Sequence, residues 1–92
     1  MQNIYESDRM NGEQIRAGRA LLGWSAADLA ARAGISYPTM QRIDATRGPV
    51  TGRYETIEAI RRALEAQGIQ FLEGGQVAAG PGVAFAAKGS AE

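Results

Sequence analysis

The sequence predicts a mainly α fold: four short helices, then a short C-terminal β-hairpin or strand-like tail. Three observations carry that prediction. Asn11, Ser25 and Ser36, residue types suited to helix N-caps, each precede an apolar-periodic segment, and Gly23, Gly34 and Gly68 stand where such segments stop. Ile57, Ile60 and Leu64 recur at i, i+3 and i+7, the spacing of a buried helical stripe. After Gly68, "IQFLEGGQVAAGPGVAF" replaces that period with β-prone pieces between glycines.

The first helix is expected from a cap at Asn11 to about Leu22, with Ile15, Leu21 and Leu22 as its apolar stripe and Gly23 ending it. The second is short, about Ala26 to Ala33. Ser25 caps it, Asp28 completes an acidic capping box, and Gly34 takes the left-handed position after it. Ser36 caps the third, which puts Tyr37 and Pro38 at its first two positions. The first amides of a helix have no partner within it, so proline there removes a hydrogen bond that was never made. Met40 and Ile43 face inward, leaving Tyr37, Pro38, Gln41 and Arg42 on the outer side.

The loop "ATRGPVTGR" follows. A fourth helix is expected from Arg53 or Tyr54 to Gln67, capped by Thr51 or Gly52. In the tail, Ile69 to Leu72 and Val83 to Phe85 read as two strands. An isolated two-stranded hairpin is marginal in water, so they must either pack on the helices or pair across a dimer. The expected organisation is an N-terminal extension (1–10), a helical domain (11–67), a glycine-rich β-prone tail (68–87) and a frayed end (88–92).

Composition narrows the function. The 92 residues include neither cysteine nor histidine. Disulfides, thiolate chemistry, the commonest general base and the commonest metal ligand are thereby excluded. Neither an enzyme nor a metal or cofactor site is expected. No apolar run approaches the ~18 residues of a membrane span, and "MQNIYESDRM" lacks the pattern of a signal peptide. A cytoplasmic protein without membrane attachment is the expectation.

Net charge is zero, whereas nucleic-acid-binding domains are usually basic. The distribution is less even. Between positions 9 and 53 there are seven arginines (9, 16, 19, 32, 42, 47, 53) against Glu13, Asp28 and Asp44, a local net charge of +4. Arginine suits bidentate phosphate and base contacts, although a general preference for arginine accounts for the count equally well. Trp24 at the first corner reads as core, as does Met40. "GGQVAAGPG" lacks the lysine and hydroxyl residue of a phosphate loop and reads as a plain connection.

Two helices joined by "ARAGIS" match a helix-turn-helix pattern. In detail, "RALLGWSAADLAARAGISYPTMQRIDA" resembles the phage-repressor-like, or XRE-type, helix-turn-helix family, over about Glu13 to Leu64. The tail, through Gly68 to Phe71 and Gly80 to Val83, is similar to a "G-I-x-F … G-P-G-V" ending of many relatives. The resemblance implies a four-helix repressor-like domain that binds double-stranded DNA. The helix starting at Tyr37 would lie in the major groove. Tyr37, Pro38, Gln41 and Arg42 would face the bases, Gln41 towards adenine and Arg42 towards guanine or a phosphate. Thr39 would add a hydroxyl contact near phosphate, and Ser36 is a candidate beside it.

The exposed amides at the start of the second helix (Ser25, Ala26) suit a phosphate oxygen. Arg47 and Arg53 flank the loop after the third helix and are candidates to grip the backbone. Arg19 and Asp44 correspond to a structural ion pair of the family. Ala26 stands where many members carry a phosphate-clamping glutamine, which removes one expected contact. Thr46 stands where many have glycine, which alters how the third helix ends.

One recognition helix covers few base pairs, so a homodimer is expected, built through the fourth helix and the tail. The alternative is an antitoxin-like or other interaction module whose tail binds a protein partner.

Overall fold

Four helices and one antiparallel pair of strands follow one another in the computed structural model, which describes residues 10–72 and 79–86. Residues 1–9, 73–78 and 87–92, and with them most of the expected N-terminal extension and the expected frayed end, lie outside the described residues. The fold is mainly α, as expected.

Helix α1 spans Gly12–Leu22 and has Asn11 at its N-cap. The Gln14 side-chain oxygen accepts the Asn11 amide at 2.9 Å, using the capping-box position three residues on. Gly23 closes the helix in the left-handed region (φ 71°), where a Cβ would be unfavourable. Ile15 is fully buried and Leu22 packs against the core, but Leu21 is 47% exposed. The expected stripe was therefore one residue too wide. At 100° per residue Leu21 lies about 120° from Ile15, on the side of α1 where the hairpin and Leu64 cover Gln14 and Gly18 but leave Leu21, farther along, open.

Helix α2 (Ala26–Ala33) has the bounds and caps read from the sequence, and helix α3 (Tyr37–Asp44) has the start and N-cap read from it. Helix α4 is Tyr54–Glu65, two residues shorter than expected. Its N-cap is Arg53 rather than Thr51 or Gly52, and no side-chain cap bond forms there. Ala66 to Gly68 make a turn, with the Gln67 amide reaching Leu64 O and the Gly68 amide reaching Glu65 O.

Strand β1 (Ile69–Leu72) pairs antiparallel with β2 (Gly82–Phe85), with Ile69 opposite Phe85 and Leu72 opposite Gly82. The two openings left by the sequence resolve towards packing on the helices. Ile69 is 3% exposed, and Phe71 and Val83 lie against the core. Gln14 provides the polar attachment. Its amide nitrogen donates to Leu72 O (3.1 Å) and to Gly82 O (2.9 Å), one acceptor from each strand. Gln14 is the buried polar side chain among the described residues, and these bonds leave none of its polar atoms unsatisfied.

The core joins all these parts. Ile15, Leu29, Met40, Ile43, Ile60 and Leu64 are fully buried at its centre, and Met10 and Val50 close it from the loop side. Met10, expected in the extension, is only 1% exposed and accepts the Val50 amide through its carbonyl at 2.9 Å. The Gly12 amide donates to Gly48 O at 2.9 Å, so the 45–53 loop is stitched to the start of α1. Gly12 is required there because a Cβ would run into the Thr46 carbonyl. No helix among the described residues is long and apolar enough to cross a membrane.

Candidate nucleic-acid interface

The joint between α2 and α3 is set by local chemistry. Gly34 takes φ 73°, and the amides of Gly34 and Ile35 both donate to Ala30 O, at 2.9 and 3.1 Å. Ile35 plugs the turn into the core. Ser36 then starts α3: its Oγ accepts the Thr39 amide at 3.4 Å and donates to Thr39 Oγ1 at 3.0 Å.

From that start α3 divides cleanly. Met40 and Ile43 are fully buried, whereas Tyr37 is 47% exposed and Pro38, Gln41 and Arg42 are exposed with it. The helix is held by one face and shows the other, so an aromatic, an apolar ring, an amide and a guanidinium share its outer side. Arg42 is also steadied: its Nη1 lies 3.5 Å from Thr51 O in the following loop, a long contact that a stronger acceptor would displace.

The far end of α3 is anchored by charge. Arg19 Nε donates to Asp44 Oδ1 at 2.8 Å and Nη2 to Oδ2 at 2.9 Å, a two-pronged pair between α1 and α3. The third arginine nitrogen donates to Trp24 O at 3.0 Å. Sequence reasoning missed Arg16, whose Nη1 donates to the carbonyls of Asp44 (2.5 Å) and Thr46 (2.9 Å). No local signal reveals it, because its partners lie 28 and 30 residues away. Thr46 closes α3 by donating its hydroxyl to Arg42 O at 3.1 Å.

The phosphate candidates fare unevenly. The Ser25 amide donates to Asp28 Oδ2 at 2.9 Å, and Ser25 Oγ accepts the Asp28 amide at 3.0 Å, so Ser25 is occupied as a cap. The Ser25 amide, then its hydroxyl, hold the Asp28 carboxyl below its ordinary range, with a smaller contribution from Arg32. What the start of α2 still offers is the amides of Ala26 and Ala27, which have no acceptor within the helix. Ser36 is likewise engaged as a cap, and Thr39 is half-buried. Arg47 and Arg53 are exposed on either side of Gly48 to Gly52. Arg47 lines an open cleft with Glu13, Arg16 and Ala45 at the junction of α1 with the end of α3.

These assignments sort the arginines. Arg16 and Arg19 are spent on α3 docking, and Arg32 lies over the Trp24 ring at 4.7 Å, covering a tryptophan that packs on the core. Arg42, Arg47 and Arg53 are exposed, the first on α3 and the other two in the loop that follows it. Among the described residues no group of three or more acidic side chains gathers as a metal site would require. Compared with known families and characterised proteins, the chain matches no family model and no curated protein.

Proposed function

We propose that this chain is a sequence-specific, double-stranded DNA-binding protein of the phage-repressor-like helix-turn-helix kind, acting as a homodimeric transcriptional regulator. The observation that carries the reading is the division of α3. Its inward residues Met40 and Ile43 are fully buried and its C-terminal end is pinned by Arg19 and Arg16, while the first turn holds no core residue. A helix so held presents its N-terminal residues to a groove. Gln41 and Arg42 supply the two side-chain types that read adenine and guanine bidentately. Tyr37 and Pro38 offer apolar contact to thymine methyl groups, and Arg47, Arg53 and the amides at the start of α2 supply backbone contacts.

Two copies on a pseudo-palindrome, with half-sites about 34 Å apart, give the specificity that one short helix lacks. A tail free to neutralise a protein partner, the alternative expectation, has less in its favour. The strands are docked on the helices through Gln14 and Ile69, which among the described residues of the tail leaves a partner little more than the outer edge of β2.

Selection of bound sites from a random duplex pool tests the proposal. The expected result is an enriched pseudo-palindrome that Arg42→Ala loses, with binding weakened by roughly 10- to 100-fold, equivalent to ~1–3 kcal/mol for a bidentate base contact. Arg42 is exposed, so the variant should fold normally. No enrichment at low salt would sink the DNA reading.

A further inference from the structure

The two edges of the hairpin differ. On β1, Ile69 is only 3% exposed, and Phe71 packs on the core with the Arg61 guanidinium of α4 over its ring at 5.1 Å. On β2 the outer edge is open among the described residues. The hairpin register, continued by the bond from the Ala86 amide to Gly68 O, makes Gln70–Ala84 and Leu72–Gly82 the hydrogen-bonded pairs. The backbone groups of Val83 and Phe85 therefore point away from β1, and no described residue pairs with them.

Monomeric proteins guard such an edge with charge, proline or a bulge. Residues 82–86, Gly-Val-Ala-Phe-Ala, contain none of these. Apolar surface adjoins the edge. Phe85 is on the same hairpin face as buried Ile69 yet remains 41% exposed, and α1 underlies that face at Gln14 and Gly18. One helical turn on from those residues, α1 exposes Ala17, Ala20 and Leu21, with Leu21 at 47%.

We propose that a second copy of this chain pairs here: β2 joins β2 of its partner, antiparallel across a two-fold axis at Ala84, forming a four-stranded sheet. The inference deepens the homodimer reading of the proposed function by naming its surface. Self-complementarity identifies the occupant. With Val83 opposite the partner's Phe85 and Ala84 opposite the partner's Ala84, every outward amide and carbonyl of Val83 and Phe85 finds a partner. Moving the axis one residue back, to Val83, shifts the register by two and brings Phe85 against the partner's Pro81, which has no amide to donate. The uncharged edge meets its own copy without repulsion, as an isologous contact requires. A four-residue strand alone buries less than the ~800 Å² per partner of a stable dimer. The exposed parts of Phe85, Ala17 and Leu21, brought to the axis from both chains, extend the contact.

The chain has no cysteine, so single cysteines report the geometry directly. Facing residues of a non-hydrogen-bonded antiparallel pair have Cα atoms ~4.5 Å apart, within the ~4.4–6.8 Å that a disulfide spans. Ala84→Cys on the full chain, oxidised mildly without DNA, should give a disulfide-linked dimer in high yield. Ala31→Cys, exposed on α2, should not. In sedimentation the wild type should be a dimer at about 100 µM, well above a micromolar Kd. Leu21→Lys should shift it to monomer with its helical circular dichroism unchanged.

A monomeric wild type, equal crosslinking at positions 84 and 31, or a Leu21→Lys variant that stays dimeric overturns the proposal. All these measurements omit DNA. Failed site selection therefore sinks the DNA reading without touching this surface, and a dimer that does not crosslink at 84 sinks the surface alone.

Discussion

The α2–α3 pair and the hairpin are held by opposite kinds of contact. Within residues 25–44 the caps close over three or four residues: Ser25 with Asp28, Gly34 with Ala30, Ser36 with Thr39. The hairpin is fixed by one glutamine that reaches across 58 and 68 residues to Leu72 and Gly82. Local closure builds a rigid presenting helix wherever the chain puts it. Long-range closure decides where a piece with no stability of its own comes to rest. The first region shapes the candidate interface, and the second determines which strand edge stays open.

The largest effect should come from a long-range contact on which the local region does depend. Asp44→Ala removes the acceptor for two arginine nitrogens, in a pair whose side chains are only 20% and 13% exposed. Leaving Arg19 unpaired should cost about 3 kcal/mol, read as a lower denaturant midpoint with an unchanged slope. Replacing both residues with apolar side chains should recover most of that loss. If Asp44→Ala costs no more than an ordinary surface substitution, α3 is positioned by its core residues alone. DNA binding should fall with Asp44→Ala although Asp44 faces no base.

Gln14→Ala addresses the hairpin. It strands the Asn11 amide and removes the second donor that each of Leu72 O and Gly82 O receives beyond the strand ladder. We expect a loss of about 2 kcal/mol, in keeping with the cost of unsatisfied buried polar groups. Its signature should be local: hydrogen exchange should speed up at Gln70 and Ala84, the paired amides within the strands, and stay slow in α3. Exchange that rises equally in α3 would mean that the two regions unfold as one unit and that the contrast between them is false.

The same contrast explains what the sequence revealed. The bounds and caps of α2, the start and N-cap of α3 and the outward set Tyr37, Pro38, Gln41 and Arg42 were legible because each signal lies within one or two turns of the residue it controls. Gln14 was half legible: its place three residues after Asn11 marks a capping box, but nothing nearby says that its other end holds a hairpin. Arg16 and Gly12 were illegible for the same reason, since the carbonyls they meet belong to the end of α3 and the loop after it, more than 25 residues on. Leu21 was misplaced because three apolar candidates fit a stripe with room for two. Only packing showed that Gly18 and Gln14 take the neighbouring face.

The smallest effect puts one question to both regions, through a carboxylate in each kind of contact. Asp28 closes the local cap of α2. Glu13 reaches from α1 to the loop, where its Oε1 accepts the Gly48 amide at 3.0 Å. Both carboxyls are held below their ordinary range. For Asp28 the chief cause is the Ser25 amide. For Glu13 it is Glu13's own backbone amide, then that of Gly48, with Arg16 and Arg47 adding attraction. A depressed folded-state value means that the folded chain binds fewer protons than the unfolded one at intermediate pH. This stabilisation is therefore complete above the ordinary carboxylate range and fades as the pH falls through the lower folded values. The denaturant midpoint should hold from neutrality to about pH 5 and decline towards about pH 3. Glu13→Gln keeps an acceptor for Gly48 but carries no charge to titrate, so it should flatten part of that decline and leave the rest to Asp28. At low pH the Gly48 amide of the wild type should exchange faster, whereas in Glu13→Gln its rate should follow only the ordinary pH dependence of exchange. If Glu13→Gln declines as steeply as the wild type, the stitch between α1 and the loop rests on the backbone bonds of Gly12 and Val50 rather than on this carboxylate.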